Sequence, residues 1–200
     1  MITVNADLHK KALNLSYFTV GYNIIEGIVS ILAASLSGSV ALLGFGLDSF
    51  VESFSGLIII WRFKKKRTPQ EEEKVEKRAV RLVGYTFFIL AFYVAFESIK
   101  KLYQFEAPNP SILGIIIATL SIIIMPILSH MKYQTGKSLK SRSLIADSKE
   151  TLACAALSIA LLIGLGLNYF LRIWQADPVI GLVIAAFLIK EGYESLIGEE

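Results

Sequence analysis

Six stretches of about twenty mostly apolar residues follow one another along this chain, near 12–33, 39–61, 79–102, 111–131, 144–169 and 178–195. A helix of about 20 residues is what it takes to cross the hydrocarbon core of a bilayer. Only helices, or barrels with no free edge, satisfy their backbone hydrogen bonds there. The pattern predicts an all-α integral, multi-pass membrane protein, a six-helix bundle in the cytoplasmic or plasma membrane. Composition agrees. The 200 residues are 54% hydrophobic, with a mean hydropathy of +0.58 and 18% charged residues, against about 25% charged in soluble domains. The spans leave no room in these residues for a second, soluble domain, so one transmembrane domain over 1–200 is expected. Met1 to Leu8 lacks the basic segment, short apolar core and cleavage site of a signal peptide, and the first span is expected to do the targeting. The single cysteine, Cys154, excludes an internal disulfide.

The basic residues alternate between connections. Lys10 and Lys11 precede the first span. Arg62, Lys64, Lys65, Lys66, Arg67, Lys74, Lys77, Arg78 and Arg81 fall between the second and third. Lys132, Lys137, Lys140 and Arg142 fall between the fourth and fifth, and Lys190 ends the sixth. The opposite side has Lys100, Lys101 and Arg172, and Lys149 lies within a span. This asymmetry, sixteen against three, predicts cytoplasmic N- and C-termini by the positive-inside rule. It also makes nucleic acid a poor partner. The Lys64–Arg67 run reads as a topology determinant rather than a lipid site, since Glu71, Glu72 and Glu73 follow it.

Pro108, Asn109 and Pro110 break the chain between spans, and Pro126 is expected to kink the fourth. Asp177 before Pro178 reads as a cap on the sixth helix. A faint repeat at about 100 residues pairs Leu42 with Leu144, Gly44 with Ala146, Asp48 with Glu150 and Glu52 with Cys154. Two three-helix halves must have opposite orientation, so inverted repeats are expected. Gly44, Gly46, Gly164 and Gly166 read as close-packing positions.

Asp48 and Glu52 are the strongest chemical signal. They lie mid-span, four residues apart and so about 40° apart on one helix face. Each charge there costs about 2.5 to 3.5 kcal/mol or more. Bound protons or a cation relieve that cost; a packing hydrogen bond between protonated acids is the plainer alternative. On the fifth span Asp147, Glu150 and Cys154 share a face. Carboxylates and a thiolate suit zinc, and carboxylates alone suit manganese or iron. Cys154 also reads as a small core filler, and Asp147 as a solvated entrance group. Glu26, with Asn23 one turn before it, is a further candidate ligand or proton relay. Glu97 reads as an interfacial ion-pair partner of Lys100 and Lys101, His130 as interfacial, and Lys149 as snorkelling outward.

Gly38 to Leu43 followed by Asp48-Ser49-Phe50-Val51-Glu52 resembles the second-helix motif of the cation diffusion facilitator family of metal–proton antiporters, a six-helix family with (H/D)xxxD motifs on its second and fifth helices. Leu144-Ile145-Ala146-Asp147 with Glu150 resembles the fifth-helix motif, and Ala176-Asp177-Pro178 the start of the sixth. Glu52 replaces the usual aspartate. Glu150 stands where histidine or aspartate is common, and Cys154 where aspartate is usual. The G-F-G-L-D-S and A-D-x-K-E patterns are similar to a short branch, expected to lack the family's cytoplasmic C-terminal domain, that includes zinc-binding vertebrate membrane proteins. The resemblance implies a central metal site at Asp48, Glu52, Glu150 and Cys154, with Asp147 and Glu26 as further candidates, and a homodimer.

The function expected is therefore secondary transport of a divalent metal cation, by efflux in exchange for protons. Zinc is favoured, with manganese, iron or cobalt as alternatives. Metal binding needs deprotonated ligands and so releases protons. The sequence has no G-x-x-x-x-G-K-[ST] loop for nucleotide phosphates. A membrane metal-binding or scaffold protein that does not transport is the alternative. An intramembrane aspartyl protease fits poorly, because neither Gly-x-Gly-Asp nor Tyr-Asp occurs, and no enzymatic activity is expected.

Overall fold

The computed structural model describes residues 2–64 and 69–197, and in it the chain is helical apart from short connections. The helices are α1 (Ile2–Ser37), α2 (Val40–Lys64), α3 (Pro69–Gln104), α4 (Ile112–Leu139), α5 (Arg142–Leu171) and α6 (Ala176–Ile197). Each apolar stretch falls in one helix, give or take a residue at its start. Helices α1, α3 and α4 run well past their apolar stretches, through Lys-, Glu- and Gln-containing sequence that favours helix. The charge run 65–67 lies outside the described residues.

Polar side chains turn into the bundle beside an apolar core that includes Leu42, Phe45 and Met125, and large apolar side chains cover the outside. On α1, Ser16, Thr19, Asn23, Glu26 and Ser30 recur at helical spacing and are all buried, whereas Phe18, Ile25, Leu32 and Leu36 are exposed, Leu36 to 81%. That arrangement suits hydrocarbon, where a lipid-facing surface must be apolar. Among the described residues, four segments are long and apolar enough to cross a membrane by length and composition: Asp7–Ser37, Val40–Trp61, Ile112–Leu139 and Ser143–Leu171. The described apolar part of α3 carries Glu97, Lys100 and Lys101, and α6 carries Lys190, Glu191 and Glu194. Those two helices pack along each other.

Helix α1 packs along α2 as α4 packs along α5, α3 joins α6, and α2 meets α5. The α1–α2 approach depends on small residues: a Cβ on Gly27 would meet the Phe50 ring at 2.8 Å and the Gly46 carbonyl at 3.0 Å. Gly44 and Gly164 likewise face side chains of α6, Ile184 at 3.2 Å and Ile180 at 2.8 Å. Gly166 does not fit the expectation of close packing, since nothing lies within 4 Å of its Cβ position. Helix α4 continues through Pro126 without a break.

The Asp177 carboxylate caps a different helix from the one expected. It lies in the first turn of α6 but accepts the Val40 N–H of α2 at 2.9 Å and the Ser39 hydroxyl proton. Lys101 of α3 donates to the Gly38 carbonyl alongside. Three helices are thus tied at one end of the bundle around the start of α2.

Candidate metal centre

Asp48 and Glu52 face inward from α2, each about 5% exposed. Helix α5 brings Glu150 to the same place and α6 brings Glu191. These four carboxylates, with Val51, Ser55, Phe87, Ala153 and Phe187, line one cavity of about 10 Å³, enough for about one water molecule and so for a single bare ion. The Ser55 hydroxyl donates to Glu150 Oε2 at 2.6 Å. Glu52 Oε1 accepts from Thr151 Oγ1 at 2.7 Å, while Glu52 Oε2 is buried without a hydrogen-bond partner. Among the described residues, no three His, Cys, Asp or Glu side chains stand close enough together to hold an ion as they are.

Cys154 is buried in the apolar core, next to the Glu52 carboxylate, and is not part of the cavity wall. Asp147 is only 2% exposed and stands apart from the cavity. Its Oδ2 lies 2.8 Å from Lys132 Nζ, both side chains being essentially inaccessible. The entrance-group reading of Asp147 is therefore replaced by a buried ion pair. The reading of Lys132 as a loop residue is corrected with it: α4 runs on to Leu139 and turns Lys132 against α5, fully buried. Glu26 also stands outside the cavity. Its Oε2 accepts from Ser49 Oγ at 2.9 Å, and Tyr22 and Ser121 are its neighbours.

Glu191, Ser55, Thr151 and Lys132 are polar residues that the sequence reading did not place at this centre. The cost of an intramembrane charge was a usable signal for Glu191, masked by its position near the end of a span between Lys190 and Gly192. Lys101, expected beside Glu97, turns instead to the Gly38 carbonyl. Glu97 pairs with Lys100 at 3.4 Å, and His130 and Lys149 are exposed.

Comparison with known proteins bears on the chain as a whole. Transmembrane protein 163 of Xenopus laevis is 23% identical over 94% of this chain and 67% of its own length. An uncharacterized transporter of Methanocaldococcus jannaschii is 24% identical over 86% of this chain and 62% of its own. Protein p34 of Rickettsia prowazekii is 24% identical over 95% and 65%. The chain thus spans about two thirds, or somewhat less, of the length of these relatives. The cation efflux transmembrane domain matches residues 17–197, nearly the whole of the helical bundle described above. The chain is an integral, multi-pass membrane protein and belongs to the cation efflux family.

Proposed function

We propose that the chain is a secondary transporter that exports a divalent metal cation, zinc by preference, in exchange for protons, through a site built around Asp48, Glu52 and Glu150. The observation that supports this most is the convergence of carboxylates from α2, α5 and α6 on one ion-sized cavity inside a bundle with an apolar exterior. Carboxylates held away from water need protons or a cation to offset their charge. A divalent ion entering the site displaces protons, and protons returning displace the ion. Alternating exposure of the site then gives exchange without ATP. The relative in Methanocaldococcus is named a transporter, and membership of a cation efflux family points the same way.

Zinc is favoured because Cys154 lies beside Glu52. A modest movement of α5 would add a soft sulfur to the oxygens, a donor set that suits tetrahedral zinc better than manganese. Proteoliposomes containing the purified chain test the proposal: a zinc gradient is expected to drive zinc flux with counterflow of protons, weakening on acidification because protons compete for the ligands. Zinc bound without flux would instead mark a non-transporting metal-binding protein. Cys154→Ser, compared for zinc and manganese flux, tests the metal preference. A selective fall in zinc flux is expected, and equal zinc transport would make the thiol structural.

A further inference from the structure

One buried cation has no part in the transport cycle described above. Lys132 is fully buried near the end of the membrane-spanning part of α4, and an unpaired ammonium in such a place is strongly disfavoured. Two groups on α5 receive it. Asp147 Oδ2 is 2.8 Å from Nζ, and Thr151 Oγ1, one turn further along, accepts a hydrogen bond from it at 2.9 Å. Residues four apart share a helix face, which is why one ammonium reaches both.

The Thr151 hydroxyl has one proton to give. Two acceptors lie within its reach, Glu52 Oε1 at 2.7 Å and the Asp147 backbone carbonyl at 3.0 Å. The carboxylate is the nearer, and hydrogen bonds to charged acceptors are the stronger ones. An ammonium donating to the same oxygen strengthens its donation onward. Glu52 is thus held through Oε1, while Oε2 is buried with no partner in a residue that lines the cavity.

We propose that Lys132 is a positioning residue of the metal site: anchored by Asp147, it fixes Glu52 through the Thr151 hydroxyl, so that one carboxylate oxygen is tied and the other is presented to the ion. The inference rests on the reading of Glu52 as a metal ligand. It assigns Asp147 to the ion pair and not to the coordination shell. Because Lys132 and Asp147 are net neutral together, the ammonium adds little net repulsion to an incoming cation.

Calorimetric titration of the purified full chain in detergent with Zn²⁺ tests this. Thr151→Val keeps the shape and removes the hydroxyl. Freeing one rotamer-rich side chain is expected to raise Kd about three- to tenfold, with a lower melting temperature because Glu52 Oε1 and the Lys132 ammonium each lose a buried partner, and with Thr151→Ser restoring both wild-type values. Lys132→Met combined with Asp147→Leu, which removes the buried charges together, is expected to raise Kd as well, by less, because Thr151 can still donate to Glu52. Wild-type affinity in Thr151→Val or in a folded double variant, or a loss that Thr151→Ser does not restore, overturns the relay. Glu52→Gln separates the two ideas. If it loses Zn²⁺ binding while Thr151→Val keeps wild-type affinity, the relay alone fails; if it binds normally, the site reading fails and takes the relay with it.

Discussion

Lys132 shows how much a single residue's environment decides. Removing one partner of a buried ion pair leaves an uncompensated charge, typically at a cost of about 3–5 kcal/mol, whereas replacing both by apolar groups of similar volume is often neutral or better. Lys132→Met alone is therefore expected to destabilise the bundle strongly in thermal unfolding, and adding Asp147→Leu to recover most of the loss. Additive destabilisation would show that the two side chains do not compensate each other. Asp48 and Glu52 were legible in the sequence because nothing basic lies near them in a long apolar run, which isolates their cost. Lys132 was not, because beyond an apolar stretch a lysine reads as a loop residue. Only the packing of α4 on α5 reveals that it has a carboxylate to meet. Glu191 was missed for a related reason: it lies near a span's end in sequence but reaches the cavity through the place of α6 against α2 and α5.

At the scale of elements, length and hydropathy located all six helices, and connections rich in Pro, Gly and charge located their breaks. What they could not give was which helix caps which. The Asp177-Pro178 pair has the local look of an N-terminal cap, yet its carboxylate serves the Val40 N–H of α2. Asp177→Ala leaves that buried donor and Ser39 without their partner, a loss of about 1–3 kcal/mol. The expected result is a lower melting temperature, with faster hydrogen exchange at Val40 and Leu42 than in the rest of α2. Unchanged exchange there would show that the cap is not needed. The α1–α2 contact makes a second point about elements. Gly27→Val drives a Cβ to 2.8 Å from Phe50 and 3.0 Å from the Gly46 carbonyl, an overpacking cost of about 1–3 kcal/mol. Gly166→Val, with nothing within 4 Å, is expected to be tolerated in the same unfolding assay. Equal effects of the two would contradict the close approach of α1 and α2.

Across the whole molecule, buried polar side chains lie beside an apolar core, large apolar ones face outward, and the carboxylate cavity sits between α2, α5 and α6. A repeat of about 100 residues in the sequence predicts two halves, and α1 packs along α2 as α4 packs along α5. For orientation in the bilayer the charge asymmetry predicts cytoplasmic termini. A cysteine placed in the Lys100–Ser111 connection, in a Cys154→Ser background, is expected to react with an impermeant reagent from outside intact cells, and labelling only from the cytoplasmic side would reverse the topology. The central claim is that Asp48 and Glu52 carry the metal through the middle of the membrane. The direct measurement is zinc-dependent proton flux in proteoliposomes for wild type, Asp48→Asn and Glu52→Gln, each confirmed folded by size exclusion in detergent. The account predicts flux in wild type and none above the empty-liposome background in either variant; flux at the wild-type rate in either one would contradict it.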